Sequence, residues 1–323
     1  MSGPRLSVVV PTIGMHDVLR RVLDGYDRQD AARGSFELIV ASDAAEPDPA
    51  AVDAAVGERS YPVRRVSGAR PGVSANRNAG RRAAGGPLIL FADNDTAPTP
   101  SLVSEHLSWH EDHPEDEVAV LGQVRWAPQL RVTTFMRWLD RGVQFDFQGI
   151  EGTDAGWGRF YTANVSVKRS FAERVGDFEE ERLPYGYEDL DWSYRASKLG
   201  LRVLYNRSAV ADHHREMTLE FWKLRAARIA VSEREFTRLH PELEPWFLRL
   251  FTTASEEPPA SDRGVRLGRW VAPWVPVVGP RVWHSLDLFY RQALAPYFLE
   301  AWSSPASEGP DLSEREAEAP GAL

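Results

Sequence analysis

The stretch Pro87-Leu88-Ile89-Leu90-Phe91-Ala92-Asp93-Asn94-Asp95-Thr96 decides the fold, because an uninterrupted apolar strand runs directly into two carboxylates separated by one residue. Carboxylates at the C-terminal end of such a strand lie in the crevice where open α/β sheets bind ligands. Paired oxygen ligands there suit a hard divalent cation that bridges to phosphate. The stretch therefore points to a metal-dependent site for a nucleotide diphosphate. The spelling alone is unspecific, since Asp189-Leu190-Asp191 repeats it, and its meaning comes from what surrounds it.

Outward from this strand the chain alternates strand and helix. Leu6 to Val10, closed by Pro11-Thr12, reads as a buried first strand, followed by a helix over Asp17 to Tyr26. Phe36 to Ala41 is a second strand ending at Ser42-Asp43. A helix over Pro49 to Val56, a short strand at Val63 to Val66 and a helix over Ser74 to Ala84 lead into the quoted strand. This rhythm specifies an α/β fold with a mostly parallel central sheet flanked by helices. Asp43 and the pair Asp93/Asp95 all fall just past strand ends, so neighbouring strands would bring them to one edge, the expected donor pocket.

After a helix over Ser101 to His110, Val118 to Trp126 reads as a strand, Thr134 to Asp140 as a short helix, and Phe147 to Gly158 as a Gly-rich loop holding Trp157. A long loop inside a compact domain is more often functional than filler. A strand over Phe160 to Lys168, a helix at Phe171 to Val175 and the acidic turn Asp177 to Glu181 follow. Glu188 to Leu199 is a helix closed by Gly200, and strands at Arg202 to Tyr205 and Ala209 to Ala211 end at Asp212-His213-His214. Leu219 to Leu239 is a basic amphipathic helix, Ser255 to Gly264 a linker, and Val282 to Trp302 an amphipathic helix. Trp270 to Pro280 carries too many prolines, and too short an apolar run, to cross a membrane. The expected organisation is a catalytic domain over 1–215, with a donor half to about residue 100, a helical extension over 216–302 and a disordered tail over 303–323.

With 323 residues and 43% hydrophobic content the chain can bury a sizeable core, and a net charge of −9 argues against nucleic acid as a partner. The absence of cysteine excludes disulfides, thiolate nucleophiles and cysteine-ligated zinc. The N-terminal apolar run is too short and strand-like for a secretory signal, so the expectation is a cytoplasmic protein.

Taken in order, Ser7-Val8-Val9-Val10-Pro11-Thr12, Asp43, Asn76-Arg77-Asn78-Ala79-Gly80, Asp93-Asn94-Asp95, Glu188-Asp189-Leu190-Asp191 and His213 resemble the motif series of inverting family 2 glycosyltransferases of GT-A fold. The resemblance covers roughly Leu6 to His214 and implies a role for each motif. Asp95 would ligate Mn²⁺ or Mg²⁺, with Asp93 on the donor ribose or a metal-bound water and Asn94 beside them. His213 would complete the metal site, although the adjacent His214 is an alternative, since neighbours on an extended segment point to opposite faces. Asp43 would accept from the nucleotide base, as the N3–H of uracil requires, or simply form an Asx-turn. Pro11 and Thr12 would offer main-chain contacts to the base. Arg77 would meet base or phosphate oxygens, and Asn78 would pack the helix start beneath the nucleotide.

Asp189 would be the base that takes the acceptor hydroxyl's proton, with Glu188 sharing acceptor binding. A helix N-terminus lowers a carboxylate's pKa, so Trp192, Tyr185 or Tyr187 would have to raise it by desolvation. Asp191 is better read as an i,i+4 partner of Arg195. Trp157 and Asn164 resemble the donor-sugar and acceptor region, where an indole could stack on a pyranose; core packing suits Trp157 equally.

The implied activity is inverting transfer of a sugar from a nucleotide-sugar, UDP-linked by preference, to a saccharide or lipid-linked acceptor. A sugar nucleotidyltransferase, or a non-catalytic nucleotide- or sugar-binding module, is the alternative. The Trp-rich segment with Trp270, Trp274, Trp283 and Trp302 could seat the chain peripherally on the inner face of a membrane, or pack on the catalytic domain or in a homodimer.

Overall fold

The computed structural model describes residues 3–261, 263, 265, 266 and 280–304, the side chains of 280–282 excepted. Two compact units emerge, Met1–Gln129 with Gly149–Arg215, and Leu130–Gln148 with Glu216–Leu323. The first carries a mixed eight-stranded sheet. Its parallel part comprises β1 (Leu6–Thr12), β2 (Phe36–Ser42), β3 (Val63–Ser67) and β4 (Leu88–Ala92) in the order β3-β2-β1-β4. Between them run α1 (His16–Asp27), α2 (Pro49–Val56) and α3 (Val73–Ala83). Val8, Val10, Leu38, Val40 and Leu90 bury one face of this part beneath the apolar stripe Leu19, Val22, Leu23 and Tyr26 of α1. On α3, Gly80 lies so near the sheet that a Cβ there would stand 2.3 Å from Val9 Cγ1, so only glycine permits the approach. Parallel register aligns Thr12 with Ser42, so the strand ends share one edge, as the sequence expected.

The other half of the sheet is largely antiparallel. After β5 (Thr96–Pro98) and α4 (Leu102–Asp112) come β6 (Val118–Trp126), β7 (Asn164–Lys168) and β8 (Arg202–His213), completing the order β4-β7-β6-β8-β5. β7 pairs antiparallel with β4 and β6, β6 runs parallel to β8, and β5 runs antiparallel to β8. The strand expected over Phe160 to Lys168 begins only at Asn164, preceded by a single 3-10 turn, Trp157–Arg159. The two strands expected at Arg202 and Ala209 are one strand, bulged opposite Gly122/Gln123. Gly122 is required there, since a Cβ would meet Asn164 Nδ2 at 2.3 Å and the Ala209 carbonyl at 2.4 Å.

In the second unit α5 (Thr134–Leu139) sits among α8 (Leu219–Leu239), α9 (Trp246–Glu256) and α10 (Pro280–Ser303). Between β7 and these, the first unit adds α6 (Arg169–Val175) and α7 (Glu188–Ser197). The expected boundary at 215 thus needs amendment: Leu130–Gln148 belongs with the helical extension. The reason is aromatic. Phe135 and Trp138 lie 5.1 and 5.3 Å from the Tyr290 ring, and Trp138 Nε1 donates to Asp287 at 2.9 Å. Residues Ser255 and Glu256, expected in a linker, end α9. Trp270, Trp274 and the tail beyond residue 304 lie outside the described residues. Among the described residues no helix is long and apolar enough to cross a membrane.

Candidate active site

The strand end after β4 distributes its three polar side chains to three partners. Asp93 pairs with Arg77 at 3.0 Å, Asn94 Nδ2 donates to Thr12 Oγ1 at 3.0 Å, and Asp95 turns toward His213, with Oδ2 3.6 Å from Nε2. Sheet register makes the last contact: β5 begins one residue after Asp95, Thr96 lies opposite His213, and the His214 amide donates to the Asp95 carbonyl at 2.7 Å. It is His213, not His214, whose ring faces the carboxylate. Trp126, opposite His213 on β6, packs edge-on against that ring at 5.1 Å.

His213 Nδ1 lies 3.1 Å from the Arg215 carbonyl and 3.4 Å from the Arg215 amide nitrogen. Nδ1 is thus engaged by the Arg215 backbone, and Nε2 is the ring nitrogen that faces Asp95. Carboxylate oxygen and imidazole nitrogen are the donor set a divalent cation such as Mn²⁺ takes, so these residues fit the group. Asp93, expected as a further ligand, is instead engaged by Arg77, and no cluster of three His, Asp or Glu side chains is preformed among the described residues.

Arg77 is the hub. Its side chain is 4% exposed, one amino group meets Asp93 and the other Glu188, the first residue of α7. Burial opposes its charge, and Glu188, Asp93 and Asp189 outweigh that opposition. With both amino groups on carboxylates, Arg77 is a bridge between two motifs rather than the free base or phosphate ligand the sequence suggested. Burial also raises the Asp93 carboxyl against the pull of Arg77, and the neighbouring Asp95 charge adds to the rise.

α7 starts from a constrained backbone: Gly186 and Tyr187 both have positive φ, 81° and 64°. A left-handed non-glycine residue costs about 1 kcal/mol or more, and such strain clusters where side chains must be aimed. Behind the helix, Trp192 stacks between Phe160 at 4.9 Å and Phe178 at 5.6 Å and donates Nε1 to the Gly176 carbonyl at 2.9 Å. Asp189 is pushed up to about 7, first by burial and then by the Glu188 charge, while Arg77 and the Leu190 amide pull the other way. Asp191 turns inward to Arg195, at 2.9 to 3.0 Å.

Other expected site residues are placed differently. Both Asp43 oxygens are occupied within the fold, by the amides of Ala45 at 2.8 Å and Gly72 at 2.9 Å and by Asn76 Nδ2 at 2.8 Å, so the Asx-turn is realised together with a tie to the loop before α3. Pro11 lies within β1, paired with Ala41, and the Thr12 carbonyl accepts from the Asp43 amide at 2.9 Å. Asn164 is corrected. It is 1% exposed, its Nδ2 donates to the Gln123 and Ala209 carbonyls at 3.1 and 2.9 Å, and its Oδ1 meets His106 Nε2 at 2.9 Å, so it holds the β6–β8 bulge and presents nothing to a sugar. Asn78 is likewise internal, bonded to Phe178 and Glu180. Trp157 is half-buried, its ring 5.0 Å from Tyr194 on α7.

Glu46 went unread in the sequence. Its buried carboxylate accepts from the amides of Gly14 at 2.7 Å and Asp48 at 3.0 Å and meets His16 Nε2 at 2.9 Å, holding a loop in which Gly14 and Met15 are both left-handed. The only hint was an acidic residue in the turn after Asp43.

Residues 7–160, which include the donor edge, match the family model described as Glycosyl transferase family 2. The chain carries a region of this glycosyltransferase family. Validoxylamine A glucosyltransferase of Streptomyces hygroscopicus subsp. limoneus is 27% identical over 278 residues, 75% of this chain and 58% of that protein. The uncharacterized glycosyltransferase YfnE of Bacillus subtilis (strain 168) is 23% identical over 255 residues, covering 65% of this chain and 64% of that one. This chain thus spans about three-fifths of the length of the curated relatives it matches. Among solved structures, the mannosyltransferase PcManGT from Pyrobaculum calidifontis, in complex with GDP-Man and Mn²⁺, superposes with a TM-score of 0.58 at 18% identity, over 93% of this chain and 88% of that chain. S. aureus TarS 1–349 in complex with UDP gives 0.53 at 15% identity, over 93% and 90%. These likenesses fix the fold as GT-A.

Proposed function

We propose that this family 2 glycosyltransferase moves one sugar, with inversion, from a nucleotide-sugar to a hydroxyl of a saccharide or lipid-linked acceptor. The observation that carries the reading is Arg77. A single buried guanidinium pairs with Asp93 of the donor strand end and with Glu188 beside Asp189, so the span of one side chain separates the two half-sites. In the reaction the acceptor oxygen bonds to the anomeric carbon as the bond from that carbon to the diphosphate oxygen breaks, and the acceptor proton passes to Asp189. A carboxyl that titrates near 7 is matched to this task at neutral pH. Glu188 orients the acceptor, and Asp43, Thr12 and the loop held by Glu46 border the nucleotide base.

Asp95 and His213 would hold a divalent cation, which supplies positive charge to offset the diphosphate and stabilise its departure. The support is the 3.6 Å approach of a carboxylate oxygen and an imidazole nitrogen, together with the Mn²⁺ named with the Pyrobaculum structure. UDP is the first choice of nucleotide, and a glucosyl donor is included because a relative is named a glucosyltransferase.

A thermal-shift screen of UDP, GDP, ADP and dTDP with and without Mn²⁺ or Mg²⁺ tests the reading. One nucleotide should stabilise the chain in a cation-dependent way, by about 2.7 kcal/mol at a hundredfold excess over Kd. Steady release of that diphosphate from its sugar donor should require an acceptor. No cation-dependent shift with any nucleotide would overturn the proposal.

A further inference from the structure

We infer that Asn78, the second asparagine of Asn76-Arg77-Asn78, is a positioning residue for Asp189 rather than a nucleotide contact; the inference rests on the proposed function. Asn78 is fully buried. Its Nδ2 donates to the Phe178 carbonyl at 2.9 Å and to Glu180 Oε1 at 2.8 Å, and its Oδ1 accepts from the Phe178 amide at 2.9 Å. One amide side chain therefore takes both backbone polar groups of a residue a hundred positions away.

Phe178 is the wedge between the two half-sites. Its ring stands edge-on to Phe91 at 5.3 Å, two residues before Asp93, and stacks on Trp192 at 5.6 Å, three residues after Asp189. Fixing Phe178 fixes the distance from the donor strand to the base helix. The segment from Asp177 to Tyr187 that leads into α7 is strapped to the same helix along its length: Arg81 and Arg82 both pair with Asp177, and Ser74 Oγ donates to the Leu183 carbonyl at 2.6 Å. At Gly72 the strap passes so close that a Cβ would meet the Pro184 carbonyl at 2.8 Å. The half-exposed Arg82 pair is open to screening by salt, whereas the buried Asn78 bonds are not, so Asn78 sets the register of the strap at Phe178. Without it, the Phe178 amide and carbonyl lose their partners in a buried setting, and the strap shifts to find others.

The test compares the wild-type chain with Asn78→Ala and Asn78→Ser. In Asn78→Ala, kcat should fall on the order of a hundredfold, as for a misplacement of about 1 Å, while the Kd for nucleoside diphosphate changes less than about twofold. Hydrogen exchange at the Phe178 amide, and at the Asp191 amide in the first turn of α7, should quicken in both variants. A raised nucleotide Kd with kcat retained would make Asn78 a donor residue and overturn the inference, as would wild-type kcat. If Asn78→Ala does not fold, Asn78→Ser decides by exchange: unchanged protection at Phe178 and Asp191 overturns the clamp. A wild-type chain that binds nucleotide yet moves no sugar refutes the proposed activity, and the exchange result still judges the clamp.

Discussion

Asp93-Asn94-Asp95 ends a strand and Asp189-Leu190-Asp191 begins a helix, and the same spelling sends its carboxylates to different places. In the first, a turn between β4 and β5, in which the Thr96 amide donates to the Asp93 carbonyl at 3.3 Å, sends the side chains apart, and antiparallel β5 brings Asp95 to His213 while Asp93 reaches back to Arg77. In the second, a helical step of about 100° per residue turns Asp191 into the protein, where Arg195 one turn on receives it, and leaves Asp189 beside Glu188 in surroundings that raise its pKa. The lesson is that a carboxylate pair has no fixed chemistry: the backbone under it decides whether its members meet a histidine, brace a helix or hold a proton near neutral pH. Arg77 joins the two copies through Asp93 and Glu188.

The largest effect should come from Asp189→Asn. We expect kcat to drop on the order of a thousandfold, within the range of a lost general base, with nucleotide binding retained. The same variant should gain stability where the wild type loses it. In the fold this carboxyl holds its proton to about 7, against an ordinary 3.8, so wild-type stability is full below the ordinary value and declines as pH rises through 7. An amide cannot ionise, and the Tm of Asp189→Asn relative to wild type should therefore rise between pH 5 and pH 8. Full turnover in Asp189→Asn would erase the contrast between the two spellings.

Next in size are Asp95→Asn and His213→Ala, which should abolish the cation-dependent part of the nucleotide thermal shift, a stabilisation of about 2.7 kcal/mol at a hundredfold excess of ligand over Kd. His214→Ala should keep it. The reverse ranking of the two histidines would break the register argument that brings Asp95 to His213.

Much of this was legible in the sequence because it is local. Strands β1, β2 and β4 are apolar runs closed by turn residues, and α2 announces itself through Asp48, which caps it by accepting from the Ala51 amide at 3.0 Å, and Pro49 behind it. What could not be read depends on partners distant in sequence. β5 has three residues, too few for a periodic signal, yet it sets Asp95 beside His213. Asn164 and Asn78 are polar residues in motif-like strings, and nothing local distinguishes an amide facing a ligand from one satisfying a buried bulge or a strap a hundred residues away. Leu130–Gln148 was assigned by chain order, whereas its aromatic rings are placed by Trp222 and Tyr290.

Glu188→Gln should act on the pH profile more than on the size of kcat. Its charge raises Asp189, so removing it, and freeing Arg77 to act on Asp189 more strongly, should move the acid limb of kcat to lower pH than in the wild type. A limb that stays in place would mean that Glu188 and Asp189 do not share one electrostatic environment.

The smallest expected effect belongs to Asp191→Asn, the other end of the second spelling. Asp191 is buried and Arg195 is half-exposed, and the guanidinium also donates to the carbonyls of Val175 at 3.0 Å and Asp177 at 2.7 Å, so the helix is braced by more than the ion pair. An isosteric amide keeps a hydrogen-bond acceptor toward Arg195 and loses only the charge, costing about 1–3 kcal/mol and a few degrees of Tm. Turnover should stay within a few-fold of wild type and the pH profile should not move, because Asp191 is taken up by Arg195 rather than by Arg77. A collapse of kcat comparable to that of Asp189→Asn would show that Asp191, not Asp189, meets the acceptor, and would invert the comparison.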